Sequence, residues 1–143
     1  MRCQQFELYA AEDNVSDGMV FISLDEVKLY VRGLLDSEWW GRMYPTVRGV
    51  EVGGRDAGQR DSVGAFDRGE GVGRIEMARS HWCEQAVIHE LAHVFASAAS
   101  GSQAHDPWFA RHYLDLTYLS RGSEAFMALL FAFNIAGIEH DPA

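Results

Sequence analysis

Apolar positions along the chain change their period several times, and each change predicts an element. Residues 5–10 alternate, with Phe6 and Leu8 set against Glu7 and Tyr9, which predicts a first strand. Leu24, Val27, Tyr30, Val31, Leu34 and Leu35 then recur at helical spacing behind Ser23-Leu24-Asp25-Glu26, a capping-box signature. A helix therefore starts near Leu24 and runs toward Trp39-Trp40-Gly41, with Pro45 marking its end or a following turn. Residues 47–52 read as a strand and residues 53–61 as a polar, glycine-rich loop. Residues 63–67 and 72–79 flank Arg68-Gly69-Glu70-Gly71 and predict a hairpin, with Ile75 and Met77 on one face and Arg74 and Glu76 on the other. Gly69-Glu70-Gly71-Val72-Gly73 lacks the spacing and strand-to-helix context of a phosphate loop and reads as a turn.

The second half of the chain is helical by the same criterion. Val87, Ile88, Leu91, Ala92, Phe95 and Ala96 mark a mostly buried helix that starts at residues 82–84 and stops around Ser100-Gly101. Asp106-Pro107 is a start signal, an N-cap acceptor followed by the ring that presets φ at the first helical position. Phe109, Ala110, Tyr113, Leu114 and Thr117 trace that helix's buried face, Gly122 closes it, and a last apolar helix covers residues 123–137. The pattern predicts an α+β fold, a small mixed β-sheet packed on helices, in a single domain over residues 1–143.

Composition narrows the function classes. The formal net charge is −9 with no basic run, so phosphate neutralisation is poorly supplied and nucleic-acid binding by this domain is not expected. Cys3 and Cys83 are the only cysteines and stand far apart, which excludes a disulfide framework or zinc ribbon and makes a reducing cytoplasm the expected location. The N-terminal residues lack the apolar run of a signal peptide, and the most apolar stretch, residues 125–138, is too short for a bilayer span of about 20 residues. No membrane partner is expected. The oligomeric state stays open.

The chemistry sits in the buried helix. His89-Glu90-Leu91-Ala92-His93 places two imidazoles one turn apart on one helical face and a carboxylate on its flank, the smallest helical unit that can hold a metal and activate a water. Two histidines and a glutamate in so apolar a helix are costly unless paired or ligated. A catalytic zinc takes three protein ligands and keeps one open position. The downstream candidates are His105, Asp106, His112 and Glu124. A helix ending at Ser100 lies about 10 Å beyond His93, and the four residues after it span up to about 13 Å, enough to return His105 to the metal. Glu124 is the runner-up, with first-turn charge stabilisation as its simpler role. Asp106 reads as the cap, His112 as a core residue or a support behind the ligands, and His81 and His140 receive no role.

These residues carry a resemblance. His89-Glu90-Leu91-Ala92-His93 followed by His105-Asp106-Pro107-Trp108-Phe109 resembles the H-E-x-x-H and H-G-P-x-F pattern of SprT-like zinc metallopeptidases, and is more closely similar to small metallohydrolases of high-GC bacteria and their phages. The likeness covers residues 74–116; Asp106 stands where glycine is expected, and the zinc ribbon of many SprT relatives is missing. It implies a zincin-like fold, Zn2+ held by His89, His93 and His105, Glu90 as general base, and a protein or peptide substrate. The strand at residues 72–79 would then be an exposed edge on which an extended peptide pairs, and the oxyanion donor would come from Tyr113, Tyr118, Arg111 or Tyr44. Two other readings compete: an amidase or deformylase on the same motif, against which Cys83 points away from the metal face by helical angle, and a non-catalytic binding module that keeps a metal for stability.

Overall fold

The computed structural model describes residues 3–142. Six α-helices and three strands follow in the order α1 (Gln5–Glu12), α2 (Leu24–Leu35), α3 (Glu38–Met43), β1 (Gly49–Gly54), β2 (Val63–Asp67), β3 (Val72–Met77), a 3-10 turn (Arg79–His81), α4 (Glu84–Ser100), α5 (Pro107–Arg121) and α6 (Ser123–Ala136). The sheet is mixed, in the order β1-β3-β2, with β1 parallel and β2 antiparallel to β3. It packs on α4, which in turn packs on α5, while α5 and α1 lie against α6. No helix among the described residues is long and apolar enough to cross a membrane.

Most elements form for the reasons their sequences announce. Ser23 caps α2, its Oγ accepting from the Glu26 backbone N–H at 3.2 Å, and Glu26 returns a carboxylate to the Ile22 N–H at 2.8 Å. Gly71 supplies the left-handed φ of +69° that turns β2 into β3. Ile75 and Met77 face the core, while Arg74 pairs with Glu51 at 2.8 Å on the outer face. The helix expected to run on to Trp39-Trp40 breaks at Asp36-Ser37, and α3 restarts so that Trp40 is buried with its indole N–H on the Val47 carbonyl at 2.9 Å.

Two expectations are overturned. Residues 5–10 are helical, because the positions that meet the core are Gln4, Leu8 and Ala11, a helical stripe, whereas Phe6, half of the apparent alternation, is 85 % exposed. Residues 72–79 do not form an edge: β3 is paired on both sides, and the free edges belong to β1 and β2.

α4 carries buried residues on almost every side. Gly64 of β2 makes the closest approach, since a Cβ there would overlap the Glu90 backbone carbonyl. At the helix start, an extended segment pairs Val20 with Cys83, and Glu84 accepts both the Met19 N–H and the Tyr30 hydroxyl, each at 2.8 Å.

Candidate metal centre

His89 and His93 project from one face of α4, one turn apart. Gly101, with φ +72°, ends the helix by donating its N–H to Ser97, and Ser102 donates to Ala96. That reversal folds residues 101–104 back along the helix end. Asp106 then caps α5, its carboxylate accepting the Phe109 N–H at 3.0 Å, which fixes the residue before it, His105, over α4.

The outcome is a convergence of three ring nitrogens. His93 Nε2 lies 3.1 Å from His105 Nε2, which lies 3.3 Å from His89 Nε2. One donor atom from each residue falls within 4.8 Å of the others, and among the described residues this is the group of His, Cys, Asp and Glu side chains able to hold a metal ion. Nitrogens bound at about 2.0–2.1 Å to a tetrahedral ion stand about 3.3–3.4 Å apart, so the spacing fits such an ion.

The protonation pattern fits as well. Glu12 Oε2 accepts from His89 Nδ1 at 2.8 Å, so Nδ1 keeps its proton and Nε2 is the atom that faces the other histidines and would give up its proton to a metal. The same oxygen accepts the hydroxyl of buried Tyr113 at 2.6 Å. Burial, reinforced by the neighbouring His89 and His105 rings, pushes the His93 imidazole down to about 2. Burial and His89 take His105 down to about 4 against the opposing charges of Glu12 and Asp106. Both rings are therefore neutral near pH 7, the form that ligates. Burial disfavours the charged form of His89, but the Glu12 carboxylate outweighs it and holds its pKa above the ordinary value.

The group lies on one wall of an open cleft of about 720 Å³. Glu90 is in the same cleft, its Oε2 3.9 Å from His89 Nε2. Burial raises its carboxyl to about 7, with His89 opposing and the charges of Glu12 and Asp61 adding. Tyr9, Asp61, Val63, His81, Trp82 and Cys83 contribute to the walls.

Compared with family models, with curated proteins and with solved structures, this chain matches none. The assignment of the site therefore rests on its own geometry.

Several expected contributors lie elsewhere. Tyr113 is committed to Glu12, Tyr44 to His112 Nδ1 at 2.8 Å and Arg111 to Asp115 at 2.9 Å, while Tyr118 is exposed and packs on Phe126; none of the four lines the cleft. His112 thus supports Tyr44 and not a ligand. Glu124 sits exposed in the first turn of α6, outside the histidine group, and His140 bonds Asn134. Cys83 is the residue before α4 and borders the cleft without joining the group. Sequence reasoning missed Glu12, whose helix reads as a strand, and Tyr9 and His81, which no motif marks.

Proposed function

We propose that this chain is a zinc-dependent hydrolase that cleaves peptide bonds, with His89, His93 and His105 as the metal ligands and Glu90 as the general base. The observation that carries the reading is the convergence of three Nε2 atoms beside a buried carboxylate in an open cleft. Three neutral imidazoles suit zinc and leave a coordination position for substrate or solvent. When bound, zinc supplies a Lewis acid that polarises the scissile carbonyl and acidifies water.

The chain's own groups do the rest. Glu90 takes the proton from water in the cleft and returns it to the leaving nitrogen, a transfer its position beside His89 permits without filling the metal position. The free edge of β2 reaches the cleft at Ser62, Val63 and Gly64, and an extended substrate pairs there, main chain to main chain. His81 offers a donor for the developing oxyanion. Ser62 Oγ accepts the Ala78 N–H at 2.8 Å and hydrogen-bonds His81 Nδ1 at 2.9 Å; in the tautomer where Ser62 donates, Nε2 bears the N–H.

The test is hydrolysis of an unstructured polypeptide such as casein by zinc-loaded protein. Glu90→Gln is expected to retain its zinc and to lose activity by a factor of about 10²–10⁴. Absence of cleavage by the zinc-loaded wild type, or equal cleavage by both proteins, rejects the hydrolase reading.

A further inference from the structure

A short helix with a small apolar hold on the molecule stands behind the histidine group. α1 is 8 residues long, has no side-chain cap, and buries Leu8 and Ala11 while Phe6 stands in solvent. A helix this short is unstable by itself. It nevertheless reaches two of the three histidines. Glu12 at its end accepts from His89 Nδ1, and Gln4 at its start donates its N–H to the His105 carbonyl at 2.7 Å. Between them the Tyr9 ring meets the His105 ring edge-on, 5.8 Å between centroids.

Both ends are held by the rest of the fold. Tyr113 of α5 fixes the Glu12 carboxylate, and the Gln4 side chain donates to the Glu139 carbonyl at 2.9 Å and accepts the Glu139 N–H at 2.6 Å, beyond the end of α6. With α1 docked, Glu12 holds Nδ1 of His89 and Nε2 faces His105; with α1 displaced, Nδ1 loses that carboxylate.

We propose that docking of α1 and metal binding are one coupled equilibrium, with Glu12 as the positioning residue that links them. This rests on the three histidines being the metal ligands. Coupling is reciprocal, so the factor by which docked α1 raises metal affinity is the factor by which the metal raises docking.

The experiment uses the full chain, stripped of metal, and Zn2+ titrated against a competing chelator. Glu12→Ala is expected to weaken zinc binding about 10- to 100-fold, and Tyr113→Phe to weaken it less. Amide hydrogen exchange gives a readout in the unaltered protein: zinc is expected to slow exchange across Gln5–Glu12, and Glu12→Ala to abolish that protection. Zinc affinity of Glu12→Ala within twofold of wild type, or exchange in α1 indifferent to zinc, overturns the inference. Wild type that binds zinc without hydrolysing casein overturns the hydrolase reading alone; wild type that binds no zinc overturns both.

Discussion

At the scale of single residues, environment decides what each histidine is for. Three of them face one another, His93 and His105 kept neutral by burial and His89 held by Glu12, an arrangement that could hold a metal ion. His112 has the same side chain and a different office. Burial, against the opposing charges of Asp115 and Asp106 and together with Arg111, lowers its pKa, and its ring receives the Tyr44 hydroxyl. A folded-state pKa below the unfolded value of 6.5 means that the stability His112 contributes is present above that value and is lost as pH falls below it. The stability advantage of wild type over His112→Gln should therefore be larger at about pH 7 than at about pH 5, measured by thermal melts of both proteins in the same buffers. An advantage that grows toward acid contradicts the assignment.

At the scale of elements, the decisive contact is between β2 and α4. Gly64 has no side chain to hold apart the strand and the Glu90 backbone, so the helix bearing the histidines lies directly on the strand that borders the cleft. Gly64→Ala forces the two apart and is expected to cost about 1–3 kcal/mol, with Tm lowered by several degrees. Gly33 is the control. It lies exposed in the interior of α2 with open space where a Cβ would stand, and Gly33→Ala should stabilise by about 0.5–1 kcal/mol through helix propensity. Parallel urea titrations of the two variants check both signs. Legibility differs among the elements for a physical reason. The Ser23 and Asp106 caps are local chemistry and were readable in place. The order β1-β3-β2 was not, because edge or centre is a matter of which strands meet, and an alternating strand looks the same in either position.

At the scale of the whole molecule, the three converging imidazoles come from α4 and the turn that follows it, and the carboxylate that holds His89 comes from α1, near the other end of the chain. The Nε2 set is thus a property of the folded state. A ligand that binds the folded state and not the unfolded one raises stability by mass action, about 2.7 kcal/mol at a free concentration of one hundred times Kd. Added zinc should raise Tm, excess chelator should reverse the shift, and His93→Ala should abolish it while Glu90→Gln keeps it. A shift that survives His93→Ala would place the metal elsewhere.

The sequence by itself determined the helix of His89 and His93 and the flanking position of Glu90, and it allowed the return of His105. The first two follow from i and i+4 on one helical face; for the third the sequence supplied a glycine stop and enough chain before Asp106-Pro107 to fold back, and the tertiary structure made the choice. Only the tertiary structure decided that residues 5–12 are a helix, that Glu12 orients His89 across 77 positions of sequence, that β2 and not β3 offers a free edge, and that His81 faces the cleft. Local spacing constrains what lies within a turn or two. Contacts between distant segments are chosen by packing, to which the period of a short apolar run is nearly blind.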